Sequence, residues 1–390
     1  MSLVLPNVTR MLSELVADAS VSCASPRWDL SNASVIARLA TWFSDLGFVV
    51  EVLDVPGHPG KQNLIATLGT GEGGLVLSGH SDTVPFDEQL WKYDPLKLQQ
   101  ADNRFYGLGT CDMKGFFPLI VEAVKKFKGQ PFAQPLIVLA TADEESSMSG
   151  ARALSRANFN KPRAAVIGEP TNLVPVRMHK GIMMEAVRIS GRSGHSSNPA
   201  LGNNALDCMH SVLGTLIDYR NGLQQKYRHA GFEIDYPTLN LGHIHGGDNP
   251  NRICGFCELQ YDLRPLPGMH LPELQEQIKS LLAPLAAEFG VQVDVEPLFP
   301  SIEAFETLQD AELVRLCEKM TGNPAESVAF ATEAPFLQNL GMETIVLGAG
   351  SIDQAHQPDE FLAFDQINPM INILEQLISH YCVSPSLKNT

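Results

Sequence analysis

No stretch of this chain approaches the roughly 18 consecutive apolar residues that a membrane-crossing helix needs, so no spanning segment is expected. The opening MSLVLPNVTRMLSELVADAS lacks a basic stretch followed by a long apolar run, which argues against a secretory signal. Positive charge is scarce: 28 Lys and Arg stand against 44 Asp and Glu, a formal net charge of −16. Nucleic acids and anionic membranes both demand basic surface, so neither is an expected partner. Part of the acidity is expected to belong to metal ligands, whose charge bound cations would offset. Cysteine is sparse too. The seven present are odd in number and scattered, which suits a reducing compartment better than a disulfide framework. Internal repeats and low-complexity linkers are also missing. A soluble, cytoplasmic protein is therefore expected. Its 390 residues, 44% hydrophobic and 18% charged, form a normal globular mixture but exceed one ordinary core, so two domains are expected.

What is present alternates, in the first half, between helical and strand patterns. Val35, Ile36, Leu39, Trp42, Phe43 and Leu46 recur at helical spacing, and Gly47 is a natural stop. Short apolar runs at Leu75–Ser78, Leu136–Ala140 and Ala164–Ile167 suit buried strands, with a helix from Phe116 to Lys128 between the first two. Pro118 is tolerable in the first turn of that helix. Such alternation predicts a largely parallel sheet covered by helices. From about Ile182 the order becomes strand (Met183–Ser190), helix (Asn203–Gln225), strands Leu239–His245 and Phe256–Arg264, helix (Pro272–Phe289) and strand (Val291–Leu298). That β-α-β-β-α-β order is the split arrangement of a ferredoxin-like domain. After about residue 301 helix–strand alternation returns, with Ile345–Leu347 as another buried strand. The expected fold is therefore α/β: a larger domain over residues 1–181 and 301–390, with a ferredoxin-like (βαββαβ) domain inserted at 182–300. The tail SPSLKNT is expected to fray.

Each strand of the first domain runs into a carboxylate or an imidazole. Leu75–Ser78 leads to His80 and Asp82, Leu136–Ala140 to Asp143-Glu144-Glu145, Ala164–Ile167 to Glu169, and Ile345–Leu347 to a glycine-containing loop and His356. The segment Gly107–Asp112 delivers another aspartate just before a helix. A lone His-x-Asp or Glu-Glu pair usually marks a loop or a solvated helix end. Recurrence at strand ends changes that, because open parallel sheets place ligands beyond the carboxyl ends of their strands. His80, Asp112, Glu145, Glu169 and His356 suit Zn²⁺ or a similar borderline cation. Those five exceed what one catalytic zinc with an open position takes, whereas two ions sharing Asp112 would use them all. Asp82 could orient His80. Glu144, beside a ligand but not needed as one, is the natural general base for an attacking water.

The strings SGHSDTVP (78–85), YGLGTCDMKG (106–115), ATADEES (140–146), IGEPT (167–171) and AHQPDE (355–360) resemble motifs of the M20 metallopeptidase family. HKG (179–181), SGHSSNPALGNNA (193–205), PTLNLGHIHGGDNPNRIC (237–254), RPLPGM (264–269) and FATEAPF (330–336) are similar to the branch of that family acting on N2-acetyl-L-ornithine. The resemblance implies a two-metal aminopeptidase-like catalytic domain with an inserted lid and dimerisation domain. It implies two Zn²⁺, with Co²⁺ able to substitute: His80, Asp112 and Glu169 on one ion, Asp112, Glu145 and His356 on the other. It further implies Glu144 as base, Asp82 as support for His80, and His195 reaching across a homodimer to the substrate carbonyl. Asn251 and Arg264 match positions that bind the substrate carboxylate, a task a guanidinium fork suits. The implied substrate is a small N-acyl amino acid, and the implied reaction is hydrolysis of N2-acetyl-L-ornithine to ornithine and acetate, a step of arginine biosynthesis. The alternative is another acyl-amino-acid hydrolase of the family, such as a succinyl-diaminopimelate desuccinylase, or a small peptidase.

Other residues carry less. Cys111 stands where the motif often has alanine; a small buried thiol is the favoured reading over metal binding or oxidation. Cys254 and Cys257 form a CxxC without a second pair, at a strand start where positions three apart face opposite sides. His243 and His245 would share a strand face, but the rest of a metal site is missing from the sequence there, so a structural role is favoured over a lid-surface or substrate-proximal one. Met183 and Met184 read as core. Glu333 is a candidate contact for the substrate's amino group.

Overall fold

The structure, a computed structural model, describes residues 5–383; the SPSLKNT tail lies outside them. The chain folds into two units. One comprises residues up to Arg177, Thr307–Glu326 and the chain from Thr332 on; the other comprises Met178–Glu306 and Ser327–Ala331. In chain order the elements are α1 (Val8–Ala17), α2 (Ala33–Asp45), β1 (Val49–Asp54), β2 (Gln62–Leu68), β3 (Leu75–His80), β4 (Gln99–Ala101), β5 (Arg104–Tyr106), α3 (Phe116–Lys125), β6 (Leu136–Thr141), α4 (Ser149–Arg152), β7 (Ala164–Ile167) and β8 (Val176–His179). The second unit follows with β9 (Met183–Ser190), α5 (Ala205–Lys226), β10 (Thr238–Gly246), β11 (Phe256–Arg264), α6 (Leu271–Phe289), β12 (Gln292–Pro297) and β13 (Phe305–Glu306). Then come α7 (Glu312–Thr321), β14 (Glu326–Val328), α8 (Ala334–Asn339), β15 (Glu343–Val346), β16 (Phe361–Ala363) and α9 (Phe364–Ile378).

The main sheet of the first unit runs β1-β2-β6-β3-β7-β15. Its centre is parallel: β3 pairs with β6 and β7, and β15 with β7. β3, β6 and β7 are buried at every position, as their uninterrupted apolar runs require when helices cover both faces. The sheet is mixed rather than largely parallel, because β1–β2 and β2–β6 pair antiparallel. The short 55–61 connection explains the first of these, since a tight link can only turn the chain back, whereas a parallel neighbour needs a crossover. Helix α2 buries Val35, Ile36, Leu39, Trp42 and Phe43, and Gly47 follows it with a left-handed φ of +90°. Phe43 and Phe117 are completely buried, so truncation of either to alanine would cost about 3–5 kcal/mol. A small β16-β5-β4 sheet ties Phe361–Ala363 to Arg104–Tyr106, segments far apart in the chain.

In the second unit the strand order is β10-β11-β9-β12, all antiparallel. With α5 after β9 and α6 after β11, this is the ferredoxin-like βαββαβ arrangement. One face packs on the helices: Val187, Ile189, Cys257, Leu259, Met209 and Ile278 share one core. The opposite face carries Arg188, Glu258, Gln260, Asp262 and Arg264 beside Met184, Ala186 and Phe256. Among the described residues no helix is long and apolar enough to cross a membrane. All seven cysteines are free thiols.

Candidate metal centre

Because β6, β3, β7 and β15 are parallel neighbours, their C-terminal ends lie along one edge of the sheet. His80 is the last residue of β3 and faces Thr141, the last of β6; Asp143, Glu144 and Glu145 follow directly. Ser78 and Val346 both register with Ile167, after which Gly168 and Glu169 emerge. Asp112 comes from the loop ahead of α3, and His356 from the loop after β15, with a left-handed φ of +59°.

The side chains converge. His80 Nδ1 lies 3.0 Å from the backbone carbonyl of Asp82, a contact that assigns the proton to Nδ1 and leaves Nε2 to ligate. Nε2 stands 3.0 Å from Asp112 Oδ1 and 3.8 Å from Glu169 Oε1. The other oxygen of Asp112, Oδ2, is 3.6 Å from His356 Nε2, which is itself 2.9 Å from Glu145 Oε2. Asp112 thus lies between the two imidazoles, one oxygen toward each. Ligand atoms of His80, Asp112 and Glu145 fall within 4.8 Å of one another, as do those of His80, Glu144 and Glu169. The Asp82 carboxylate is 3.9 Å from His80 Nδ1 and accepts the Glu145 N–H at 3.1 Å, so the orienting contact on the imidazole is the Asp82 carbonyl, not its side chain.

The donor set fits divalent cations. The ion pairs of Asp112, Glu145 and Glu169 are all with His80 or His356. Burial, and then the charge of Glu169, pushes Glu144 well above the usual carboxylate range; burial and Asp112 do the same to Glu169. Burial alone would lower His80, but its hydrogen bond to Asp112 and the charge of Glu169 hold it well above its ordinary value. Crowded carboxylates around two imidazoles are short of positive charge, which bound cations would supply. Asp82 Oδ1 and Glu333 Oε1 are buried without a hydrogen-bond partner.

Supporting residues come from places that no local pattern marks. Glu360, 1% exposed, accepts the backbone N–H groups of Gly109 (3.1 Å), Cys111 (2.7 Å) and Asp112 (3.0 Å), and so holds the loop that delivers Asp112. The β16–β5 pairing puts it there; the AHQPDE string contained the signal, but only its histidine invited a role. Burial and the charge of Asp112 push the Glu360 carboxyl up to about 8. Lys114 is buried and donates to the carbonyls of Leu15 (2.7 Å) and Asp18 (3.0 Å) at the C-terminal end of α1, where a cation is favoured. Asp143 anchors the Glu144–Glu145 loop through Lys61 (2.7 Å), Ser22 (3.0 Å) and Ser149 (3.0 Å). Glu333 is 1% exposed and accepts from Thr141 Oγ1 at 2.8 Å, and its charge bears on Glu144 and Glu169. Cys111 is buried, and burial pushes its thiol well above its ordinary value.

His195, Asn251 and Arg264 lie in the second unit. His195 is exposed, its Nδ1 2.8 Å from Ser197 Oγ, and it bridges to Arg252 beside Asn251. Arg264, at the end of β11, donates Nε to both carboxylate oxygens of Asp262 at 2.9 Å. Cys254 precedes β11, so strand alternation does not apply to it; both it and Cys257 are buried in the same core instead of facing opposite sides. Met183 is buried and Met184 partly so.

Histidine and carboxylate donors gathered at the parallel strand ends of a mixed sheet suit a metal-assisted hydrolase. The sequence profile of Peptidase family M20/M25/M40 matches residues 76–380, and the chain belongs to that family. It is 52% identical over 378 residues to acetylornithine deacetylase of Vibrio campbellii, covering 97% of this chain and 99% of that one. To acetylornithine deacetylase of Vibrio cholerae O1 strain M66-2 it is 51% identical over 378 residues, with the same coverage. Among solved structures, aminopeptidase PepT of Bacillus cereus shares the fold at TM-score 0.75 and 22% identity, over 95% of this chain and 97% of that one. The YXEP protein of Bacillus subtilis, described as a dinuclear metal binding peptidase from the M20 family, does so at TM-score 0.66 and 14% identity, over 95% and 97%.

Proposed function

We propose that this chain hydrolyses the acetyl amide of N2-acetyl-L-ornithine to L-ornithine and acetate, with two divalent cations held at the strand ends of the first unit. The observation that carries the chemistry is Asp112 standing between His80 and His356, with Glu169 on one side and Glu145 on the other. The substrate follows from the 52% identity, over nearly the whole chain, to a protein named for that reaction. His80, Asp112 and Glu169 would hold one ion, and Asp112, Glu145 and His356 the other. Imidazole and carboxylate donors suit Zn²⁺, with Co²⁺ able to replace it. When bound, such cations would supply Lewis acidity for the amide carbonyl and for the attacking water near neutral pH. Glu144 takes a proton from that water as its oxygen bonds to the carbonyl carbon, and returns it to the nitrogen as the C–N bond breaks. Asp82 steadies both sides of the centre, its carbonyl on His80 and its carboxylate on the Glu145 N–H. The second unit serves as lid and dimerisation domain. In a homodimer, His195 donates to the developing oxyanion of the other subunit's substrate, while Asn251 and Arg264 take the substrate carboxylate. The enzyme works in the cytoplasm, in arginine biosynthesis. Side-by-side turnover of N2-acetyl-L-ornithine and N-succinyl-diaminopimelate by metal-loaded protein tests the reading. A clear preference for the first is expected, and a preference for the second overturns it.

A further inference from the structure

We propose that His243, His245 and Glu258 form a separate cation site on the open face of the second unit's sheet, binding one borderline divalent ion such as Zn²⁺ or Ni²⁺. One ligand atom from each residue lies within 4.8 Å of the other two. The third ligand is invisible along the chain, because it comes from the neighbouring strand: His245 registers directly with Glu258.

A β-bulge makes the arrangement. Leu241 pairs with Tyr261, both turned to the helix-covered core. Simple alternation would send residues 243 and 245 to that same core face. The register shifts between Leu241 and His243, so His243 pairs with Gln260 and both imidazoles emerge on the opposite face. Bulges re-aim side chains in this way, at a local cost in ladder regularity.

Chemistry and charge favour a cation there. Both histidines are exposed, and their ring centroids are 5.3 Å apart. Donors on one tetrahedral zinc stand roughly 3.3 Å apart at ordinary bond lengths, a distance that exposed side chains reach by small rotations. Glu258 accepts from Arg188 Nε (2.6 Å) and Gln260 Nε2 (2.8 Å), contacts that fix its carboxylate while leaving lone pairs on both oxygens. Arg188 also pairs with Glu296 and registers with Asp294, and Asp262 pairs with Arg264 further along β11, so on these strands four carboxylates face two guanidiniums. β10 is an edge strand, and an ion at this position would fasten it to β11.

The test is a zinc count. Full-length protein stripped with chelator is saturated with Zn²⁺, freed of excess by gel filtration and assayed for metal per chain. His243→Asn/His245→Asn is expected to hold one equivalent less than wild type, and Glu258→Gln is expected to lose part or all of that equivalent. The difference does not depend on how many ions the first unit holds, so it separates this proposal from the reading of the catalytic centre. Both histidines are exposed, and circular dichroism unchanged from wild type verifies that the variant folds. As a second readout, untagged wild type is expected to be retained on Ni²⁺-charged resin and the double variant to pass through. Equal zinc content in wild type and double variant, or equal elution from the resin, overturns the proposal.

Discussion

Lys61→Met probes how the loop bearing Glu144 and Glu145 is held. The Lys61 side chain is 4% exposed, and its Nζ donates to Asp29 Oδ1 (2.6 Å), Asp143 Oδ1 (2.7 Å) and the carbonyl of Leu30 (2.8 Å). Burial alone would lower this lysine, but the hydrogen bonds to Asp143 and Asp29 hold it above its ordinary range. Asp143 directly precedes Glu144, with a left-handed φ of +57°, and its carbonyl accepts the N–H of Ser147 at 3.0 Å. Methionine keeps most of the volume and removes the charge. Breaking a buried ion pair by deleting one partner costs about 3–5 kcal/mol. Asp29 is 32% exposed and can be hydrated, and Ser22 and Ser149 still serve Asp143. The lower end, about 3 kcal/mol, is therefore expected. For a unit of this size each kcal/mol moves the midpoint by about 2–4 °C, so calorimetry should find the first unit's transition roughly 6–12 °C lower. A double-mutant cycle with Asp143→Asn should return a coupling of about 1.5–3 kcal/mol, the worth of a charged hydrogen bond. A midpoint within about 2 °C of wild type, or a purely additive cycle, would show that the Lys61–Asp143 pair does not hold this loop.

Glu144→Gln should keep both metals by elemental analysis yet lose about 10²–10⁴-fold in kcat, and near-normal turnover would remove it as the base. Glu145→Gln should instead lower occupancy of one ion. His195→Ala and Glu144→Ala homodimers, each nearly inactive, should regain roughly a quarter of wild-type activity after subunit exchange, because half the dimers are mixed and each has one intact site; no recovery after verified exchange refutes action across the dimer. Burial lowers His179 to about 4 from an ordinary 6.5. The unfolded chain therefore takes up the proton first: stability is unaffected above about pH 6.5 and falls as pH drops toward 4. Between pH 7 and pH 5 this amounts to about 2 kcal/mol, which His179→Gln should abolish in denaturant titrations, and an unchanged pH slope would contradict it.

The buried strands and the inserted βαββαβ unit were legible because they rest on local periodicity: runs such as Leu136–Ala140 for the centre, alternation for the flanks. The strand-end carboxylates were legible for the same reason, each standing next to its strand. What escaped depends on pairing across distance. Nothing near Lys61 announces Asp143, and nothing near Glu360 announces Asp112. The antiparallel β1–β2–β6 flank depends on which strand a segment meets, not on its own pattern. A single bulge at residues 241–243 turned His243 and His245 toward a glutamate on another strand, a one-residue event that alternation cannot reveal.

We propose that cations held by His80, Asp112, Glu145, Glu169 and His356 enable hydrolysis of an N-acetyl amino acid. The most direct test is to follow ornithine release from N2-acetyl-L-ornithine while Zn²⁺ is returned to metal-stripped protein, with metal content measured in the same samples. The expected result is no turnover in metal-free protein and activity that rises as ions fill the centre. Full turnover by protein shown to contain no metal would contradict it.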